Sequence, residues 1–450
     1  MVPKTSALAG YGLPVMFAVA GKTLMGRQKE DRMGKMVKAV AAVALLLAVG
    51  IGGTSPLEAQ GTCKPVKEYR GGTLYECGGL RMAVLQGSYR QMGRQYGGLL
   101  KEDILAYYDR MIDKFVLKTG LFTEEDLAGL IVRPAIRTQA KRQSELLRGM
   151  TEETGLSFEK HVLLNLNVEA LMYLRKIGSG NATACTSMAA WGDYTVDRRT
   201  YTARNFDFPN IYRELSRNFG IVLVLKPTDG SNAIAGLCHT GMITFFDALN
   251  DKGLYIEGNN AADSEGLILY TDRSAIFNEA INMLMDADDI DAFEGRLRTT
   301  RANYPLIFMA AGPGEACFFE NGTTGTRKRA AREGGLISAA NQFLEPAWHI
   351  APLKNPGAWF SPARQGRLEE LAKANKGKID EKVMMAILDQ RLFNQDGSPG
   401  KGASVIEKLP HEDEVTATQV VTDPSQRKMW VRIPTYTDWV LFDLGKVFGN

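Results

Sequence analysis

Histidine is scarce in this chain, with four residues in 450, and this scarcity bears on metal chemistry. His161, His239, His349 and His411 are scattered, and no two of them stand in an H-x-x-x-H or H-x-H arrangement. Such close pairs are the usual way in which one helix or strand presents two imidazoles to zinc. The sequence therefore predicts no metal site, and no motif in it calls for a cofactor.

An excess of charge of either sign is also missing. Lys and Arg number 54, against 51 Asp and Glu. Residues 1–59 hold seven of the basic and three of the acidic side chains, so the remainder carries 47 and 48, a net charge of −1. Proteins that bind the phosphate backbone of nucleic acids carry a marked positive excess. The balance predicts no nucleic-acid partner.

No apolar run is long enough for a comfortable transmembrane helix, which needs about 20 residues. The run from Ala39 to Val49 follows Lys35 and Lys38 and precedes Leu57-Glu58-Ala59. A basic segment, a short apolar segment and small residues in this order are typical of a secretory signal peptide. We therefore expect residues 1–59 to be an N-terminal extension and signal, cleaved after Ala59, and the protein to be periplasmic or secreted. Left uncleaved, the segment would act as a membrane anchor.

Cysteine is sparse too, and the five residues are Cys63, Cys77, Cys185, Cys238 and Cys317. In an oxidising compartment an odd number leaves at least one thiol free. The first two flank a turn signal and could close a small loop. Cys238 and Cys317 fall in strand-like segments, where they either pair or remain buried thiols. Cys185 is the expected unpaired thiol.

Two patterns divide the chain after the signal. From Tyr89 to about Ile177 apolar residues recur at helical spacing, with Thr123-x-x-Asp126 as a capping box and Ser157 as another helix cap. After Cys185 short apolar runs alternate with turns, as hairpins require. Strands are expected at 221–225, 243–246, 254–256, 306–311, 317–319, 419–421, 429–433 and 439–442, with helices at 274–285 and 365–373. Periodicity alone predicts the α+β class.

One thiol has a setting that suits catalysis. The segment Ala184-Cys185-Thr186-Ser187 is followed by Arg204-Asn205-Phe206-Asp207-Phe208. A cysteine becomes a strong nucleophile when a nearby cation stabilises its thiolate, and an arginine one strand away would do so. A lone cysteine is more often a small buried hydrophobe. The inference therefore depends on what accompanies Cys185.

Three further motifs follow in order along the chain. They are Asn250-Asp251-Lys252-Gly253-Leu254 with Gly258-Asn259-Asn260, then Ala340-Asn341-Gln342-Phe343, then Ser361-Pro362-Ala363-Arg364. With the two motifs around Cys185 and Arg204, this set resembles the acyl-coenzyme A:6-aminopenicillanate acyltransferase-like family. That family is related to choloylglycine hydrolases and acid ceramidases, and all are N-terminal-nucleophile hydrolases. The resemblance extends from about Gly87 to the C-terminus.

The resemblance implies a mechanism. A precursor would cleave itself between Ala184 and Cys185, and Cys185 would then supply both the attacking sulfur and its own α-amine as base. Arg204 would lie near the sulfur, and Asp207 would receive the new α-ammonium. Asn260 and Asn341 would donate hydrogen bonds to the developing oxyanion. The implied site comprises Cys185, Arg204, Asp207, Asn260, Asn341 and Arg364.

The resemblance also implies a fold and an activity. The fold would be the αββα N-terminal-nucleophile hydrolase sandwich, with 60–184 as a preceding helical lobe and 185–450 as the catalytic domain. These segments would be the α and β chains of a heterodimer made from one precursor. The activity would be an exported cysteine amidohydrolase that cleaves a linear, non-peptide C–N bond of a small-molecule acyl-amide substrate through an acyl-thioester. Aromatic residues of the helical lobe such as Tyr107, Tyr108 and Phe115 would either wall an apolar acyl pocket or be plain core.

Three alternatives remain open at this point. An acyltransferase would pass the acyl group to an amine instead of water. An exported binding protein that is not processed is conceivable because Ala184 stands where the best-known acyltransferases have Gly. A papain-type pairing of Cys185 with His349 fits the spacing, although the C-G-x-C-W setting is absent.

Overall fold

The computed structural model describes residues 63–177, 184–265, 272–331, 334–407 and 413–449. The expected signal peptide at 1–59 and His411 lie outside these residues. None of the helices described in these ranges is both long and apolar enough to cross a membrane. The described residues, from Cys63 onward, belong to one compact unit, and the expected cleavage point between Ala184 and Cys185 falls inside that unit.

The described strands form two sheets. In chain order they are β1 (Lys64–Tyr69), β2 (Gly72–Cys77), β3 (Leu80–Gly87), β4 (Ala184–Gly192), β5 (Arg198–Pro209), β6 (Gly220–Pro227), β7 (Ile234–His239), β8 (Asp247–Asn250), β9 (Tyr255–Asn260), β10 (Leu306–Gly312), β11 (Glu315–Gly322), β12 (Gly325–Arg329), β13 (Leu336–Ala339), β14 (Glu414–Asp423), β15 (Lys428–Arg432) and β16 (Val440–Asp443). One sheet has the order β1-β2-β3-β6-β7-β8-β9-β10-β11-β12, and the other β13-β4-β5-β14-β15-β16. Neighbouring strands run antiparallel, except that β3 and β6 are parallel.

The described helices precede β4, connect the later strands or, in one case, follow the last strand. They are α1 (Tyr89–Leu99), α2 (Lys101–Tyr108), α3 (Glu124–Leu127), α4 (Arg133–Thr138), α5 (Lys141–Thr154), α6 (Phe158–Asn165), α7 (Asn167–Ile177), α8 (Asn210–Phe219), α9 (Ala262–Glu265), α10 (Ile276–Asp286), α11 (Ile290–Thr299), α12 (Gly357–Ala374), α13 (Glu381–Leu388) and α14 (Leu444–Phe448). Wider π-helical turns at Asp109–Val116 and Ala128–Val132 extend α2 and join α3 to α4. Short 3₁₀ turns lie at Leu117–Thr119 and Pro346–Trp348.

The two sheets pack face to face, and helices cover their outer faces. Strands β9 and β11 contact β4 across the interface between the sheets. Helix α12 lies on β4 and β13, and α13 lies on β5 and β14. On the ten-stranded sheet, α1 packs on β3, α10 on β8 and α11 on β10. The expected αββα sandwich of the α+β class is therefore confirmed.

The segment before α1 differs from the expected helical lobe at 60–184. Residues 64–87 form β1, β2 and β3, which extend the ten-stranded sheet as far as β6. Tight turns at Arg70–Gly71 and Gly78–Gly79 join them, and all four of these residues have positive φ. Such turns match the twist of a hairpin and favour glycine. The region before Cys185 is thus helical only from Tyr89, and it contributes three strands to the sandwich.

Local signals in the sequence account for several helix boundaries. The Thr123 hydroxyl accepts from the backbone N–H of Asp126, whose carboxylate accepts from the N–H of Thr123, so the expected capping box is confirmed. The Ser157 hydroxyl caps α6 as expected, accepting from Lys160. Helices α10 and α12 correspond to the helices expected at 274–285 and 365–373, although α10 begins two residues later and α12 eight residues earlier than expected.

The strand expected at 243–246 is wrong. This apolar stretch is an irregular buried loop, and β8 begins only at Asp247. The N–H of Ile243 donates to Asn165 Oδ1 at 2.6 Å instead of to a neighbouring strand. Its apolar residues reflect burial against the helices, which periodicity cannot distinguish from a buried strand.

The cysteines divide into one disulfide and three thiols. Cys63 and Cys77 are bonded to each other and close the β1–β2 hairpin. Cys185, Cys238 and Cys317 are free and buried. The two open possibilities for Cys238 and Cys317 are thereby decided in favour of buried thiols.

Candidate active site

Strand pairing positions the sequence-predicted residues around Cys185. Strand β4 runs antiparallel to β5, with Ala184 opposite Asp207 and Ser187 opposite Arg204. The R-N-x-D spacing therefore places a cation and a carboxylate on either side of Cys185 along the neighbouring strand. The Cys185 side chain is almost fully buried, at 2% exposure.

Three different side chains hold three different atoms of Cys185. Its backbone N–H donates to Asn341 Oδ1 at 2.8 Å. Its carbonyl oxygen accepts from Arg364 Nη1 at 2.8 Å. Its Sγ accepts from Arg204 Nη2 at 3.5 Å. The residue that would become the new N-terminus is thus fixed at its nitrogen, carbonyl and sulfur.

Arg364 and Asn341 belong to one buried network. Arg364 Nη2 donates to Asn341 Oδ1 at 2.8 Å, and Arg364 Nη1 lies 3.4 Å from Asp207 Oδ2. The other oxygen of Asp207 accepts from the Thr416 hydroxyl at 2.7 Å. Asn341 Nδ2 donates to the carbonyl of Asn260 at 2.8 Å. The structure therefore brings all six sequence-predicted residues into one contiguous set.

The two asparagines are placed differently from the expected oxyanion donors. The amide nitrogen of Asn341 donates to the carbonyl of Asn260, and the amide oxygen of Asn341 accepts from the backbone N–H of Cys185. Asn260 contributes its carbonyl to this contact, while its Oδ1 accepts from the N–H of Ala262 at 3.0 Å. Buried amides are oriented by such networks. The geometry favours Asn341 as the residue that holds the Cys185 nitrogen.

Sequence reasoning missed two carboxylates beside Arg204. Its Nη1 lies 2.9 Å from Asp247 Oδ2, and its Nε lies 2.9 Å from Glu257 Oε2. Tyr255 donates its hydroxyl proton to the other oxygen of Asp247 at 2.6 Å. The N-D-K-G-L…G-x-N motif spans Glu257, but nothing in that pattern marks it as a partner of Arg204. One guanidinium thus faces two buried carboxyl groups.

Burial keeps the Cys185 sulfur protonated. Burial raises the pKa of the Cys185 thiol to about 12, because a thiolate would lose its hydration. Arg204 opposes this rise in pKa, while Asp207 and Glu257 add to it. Burial also raises the pKa of Glu257 to about 7, against the lowering effect of Arg204. In the uncleaved chain Cys185 is therefore a neutral thiol.

The raised pKa of Glu257 predicts a pH dependence of stability. A carboxyl whose pKa is higher in the folded than in the unfolded chain stabilises the fold most at low pH, and this contribution is lost as pH rises from about 4.5 through 7. We expect the free energy of unfolding of the Cys185→Ala chain to fall over this range, and Glu257→Gln in the same background to reduce the fall. Urea titrations from pH 4.5 to 8 measure this fall in the free energy of unfolding. Parallel pH profiles for the two proteins would contradict the prediction.

A narrow apolar cavity adjoins the site. It is lined by Asn165, Val168, Glu169, Met242, Thr244, Phe246 and Phe277. The aromatic residues expected from the helical lobe are not among them. Tyr107 and Tyr108 are core residues, and Tyr107 donates or accepts a hydrogen bond with His239 at 2.9 Å.

Two of the described histidines, His161 and His239, are hydrogen-bonded to side-chain hydroxyl groups. His239 lies between Tyr107 and the Ser216 hydroxyl, and His161 contacts the Thr154 hydroxyl. Burial lowers the pKa of His161 to about 4 and that of His239 to about 3. No histidine is among the hydrogen-bond partners of Cys185 in the described ranges, and the papain-type pairing with His349 has no support. Across those same ranges no group of three or more His, Cys, Asp or Glu could hold a metal ion.

Comparison with known proteins gives distant structural likenesses. No protein-family model and no curated protein matches the sequence. A mutant of the conjugated bile acid hydrolase of Clostridium perfringens is 15% identical with a TM-score of 0.40, covering 59% of this chain and 94% of that chain. The Caenorhabditis elegans ortholog of N-acylethanolamine-hydrolyzing acid amidase is 13% identical (TM-score 0.38; 53% and 93% covered). Penicillin V acylase of Agrobacterium tumefaciens is 12% identical (TM-score 0.37; 58% and 87% covered). Likeness at this level does not assign the chain to a family.

Proposed function

We propose that this protein is a self-cleaving cysteine amidase whose nucleophile is Cys185. The observation that carries the proposal is that Asn341, Arg364 and Arg204 hold the nitrogen, carbonyl and sulfur of this one residue. Any buried backbone N–H and C=O needs a hydrogen-bond partner, but a structural cysteine does not need a guanidinium beside its sulfur. An N-terminal nucleophile needs partners at both its sulfur and its nitrogen, because both take part in the reaction.

Self-cleavage would begin with attack of the Cys185 sulfur on the carbonyl carbon of Ala184. The thiol proton passes to the Cys185 nitrogen as the C–N bond breaks, which leaves a thioester between Ala184 and Cys185. Water then hydrolyses this thioester to the Ala184 carboxylate and the free Cys185 thiol. The products are an α chain of about 125 residues, from 60 to 184, and a β chain of 266 residues, from 185 to 450.

Cleavage would supply the base that the uncleaved chain lacks. An amide nitrogen cannot accept a proton at neutral pH, whereas a free α-amine has a pKa near 8. Asn341 Oδ1 already accepts from this nitrogen at 2.8 Å, so it holds the new amine in place. Asp207, opposite Ala184 in the β4–β5 ladder, supplies a negative charge for the ammonium form. The new positive charge beside the sulfur also favours its thiolate.

The mature site would then cleave a non-peptide amide. The α-amine takes the thiol proton, the sulfur attacks the substrate carbonyl, and the ammonium returns the proton to the leaving amine. The resulting acyl-thioester reacts with water, whose proton the α-amine accepts, and a carboxylic acid is released. An amine in place of water would make the same site an acyltransferase.

We also propose that the protein is exported. The disulfide between Cys63 and Cys77 supports this, because such bonds persist mainly in oxidising compartments. A periplasmic or secreted location agrees with the basic and apolar pattern within residues 1–59. Fractionation of the producing cells, with mass spectrometry of the mature N-terminus, tests it.

Intact-mass spectrometry of the purified protein tests the cleavage, and a substrate panel tests the activity. We expect two chains, one of which begins at Cys185, and turnover of at least one of penicillin V, N-acyl amino acids, N-acyl-homoserine lactones, bile-salt conjugates or ceramide. A trapped acyl group should add its mass to the Cys185 chain. Added hydroxylamine separates transfer to an amine from hydrolysis.

Each alternative predicts a different result. An uncleaved chain that turns over no member of the substrate panel would contradict the amidase and favour the unprocessed binding protein. An uncleaved chain with full activity would show that the α-amine of Cys185 is not the base. Cleavage of ordinary charged peptides alone would indicate a protease.

A further inference from the structure

A polar cleft of about 680 Å³ lies where the parallel strands β3 and β6 end. Gly87 at the end of β3 and Pro227 at the end of β6 are opposite each other in this ladder, and both line the cleft. The carboxyl ends of parallel strands are the position at which the sheets of α/β proteins bind their ligands. None of the six residues proposed for the active site lines the cleft, so an occupant would have a site of its own.

The hydrogen bonds of one buried glutamine fix the floor of the cleft. Gln95 on α1 is 4% exposed, and its Nε2 donates to the carbonyls of Arg70 at 3.1 Å and Gln86 at 2.9 Å. Its Oε1 accepts from the backbone N–H of Gln86 at 2.9 Å. Gly71, with a φ of +86°, and Gly87, with a φ of +119°, add no side chain to the space. The cleft is therefore preformed in the fold.

Three cations from three separate elements line this cleft. Arg70 lies in the β1–β2 turn, Arg94 on α1 and Lys226 near the end of β6. Among the described residues that line the cleft there is no Asp or Glu. A cleft lined by charge of one sign concentrates the electric field and attracts ligands of the opposite sign.

The ion pairs of these three side chains leave positive charge for a ligand. Arg70 Nε lies 3.3 Å from Glu153 Oε1, and Arg94 Nε contacts Glu152. The terminal nitrogens of Arg94 make no hydrogen bond to a described residue. Lys226 has no carboxylate partner in the described part of the chain, and its Nζ donates to a backbone carbonyl at 3.0 Å. Two carboxylates thus face three cations.

We propose that this cleft binds a small phosphate-bearing molecule, with Arg70, Arg94 and Lys226 around the phosphate group. A phosphate dianion offers several charged oxygens to donors on different sides. Guanidinium and ammonium groups donate strong charge-assisted hydrogen bonds to such oxygens. The site is independent of the amidase function proposed above.

The rest of the ligand is polar. The cleft is larger than a phosphate group, and the side chains of Gln91 and Thr228 also line it. These amide and hydroxyl groups suit a polyol or sugar attached to the phosphate. Pro227 is the one apolar side chain among the described lining residues, so the cleft offers no surface for the acyl chains of a lipid.

Isothermal titration calorimetry of the purified wild-type protein tests the site without requiring amide turnover. The probes are pyrophosphate and glycerol 3-phosphate, with glycerol as the neutral partner, at an ionic strength of about 0.15 M. We expect both phosphates to bind with dissociation constants below about 1 mM and glycerol not to bind.

Two variants that remove a cation should weaken the binding. Arg94→Gln and Lys226→Gln are each expected to raise the dissociation constant of pyrophosphate about tenfold. The matched control is Arg110→Gln, because Arg110 is also exposed and its ion pair with Glu214, at 3.5 Å, lies outside the cleft. Exposed ion pairs contribute little to stability, so these variants should fold.

Thr228 permits a test that leaves every cation in place. Its side chain is exposed at the edge of the cleft. Thr228→Glu adds a carboxylate there and should abolish phosphate binding. Thr228→Gln, which adds a side chain of the same size without the charge, should retain it.

Absence of binding by both phosphates would overturn the inference, as would binding that Arg94→Gln, Lys226→Gln and Thr228→Glu leave unchanged. Vesicles of phosphatidylglycerol separate a free phosphate ester from a lipid headgroup, and the wild type should not sediment with them. Sedimentation that Lys226→Gln removes, without binding of glycerol 3-phosphate, would overturn the small-molecule site in favour of a lipid surface.

Discussion

Cys185→Ala is expected to remain a single chain and to lose at least about 10⁴-fold in amide turnover. Under the proposed mechanism, the substitution removes the sulfur that would attack Ala184, and it would therefore also prevent formation of the α-amine that would serve as base. Loss of a nucleophile that acts together with its base typically removes almost the whole chemical contribution to the rate. Denaturing electrophoresis and initial rates on the best panel substrate measure the two effects.

The control for Cys185→Ala is Cys238→Ala. Cys238 is also a fully buried thiol, but it lies on β7, where its sulfur contacts the carbonyl of Met242 at 3.6 Å. This variant should be cleaved and should turn over substrate like the wild type. Two chains or measurable turnover from Cys185→Ala would exclude Cys185 as the nucleophile.

Arg364→Met should lower kcat by about 10²- to 10³-fold and the free energy of unfolding by about 3–5 kcal/mol. Arg364 is fully buried and donates to the carbonyl of Cys185 and to Asn341 Oδ1, while its charge faces Asp207. Methionine fills a similar volume but leaves the Asp207 carboxylate uncompensated. Stopped assays and urea titration measure the two losses.

Two further variants separate the stability loss from the catalytic loss. Arg329 lies on the edge strand β12, and its largely buried ion pair with Glu320 of β11 spans 3.0 Å. Arg329→Met breaks this pair and should cost stability while leaving kcat unchanged. Arg364→Lys keeps a charge for Asp207 but cannot reproduce the forked contacts. It should recover much of the stability and little of the rate. Wild-type kcat in Arg364→Lys would show that the contacts to Cys185 and Asn341 do not matter.

The motifs, together with the family resemblance that they carry, predicted a set of residues that the structure brings together at Cys185. Cys185 and Arg204 lie close together because β4 and β5 are consecutive strands that pair antiparallel. Caps such as Thr123 and Ser157 could be predicted because their hydrogen bonds are local. The αββα layers could be predicted only from the family resemblance, because periodicity alone indicates only helices and short strands.

The partners of Arg204 could not be predicted in the same way. Asp247 and Glu257 reach it from the opposite sheet, and the packing of one sheet on another has no signature in residue spacing. By contrast, the strands at 64–87 had a local signal, the two tight turns with glycine, that would have indicated hairpins.

The three strands that precede α1 determine what cleavage would do to the whole molecule. β3 is hydrogen-bonded to β6, so the two product chains would share one continuous sheet and would stay together after the peptide bond between them is gone. Such a pair could not easily re-form from separated unfolded chains, because the folding that interleaved them took place in a single polypeptide. The mature protein would then persist because it unfolds slowly, and its working lifetime would be a matter of kinetics and not of equilibrium.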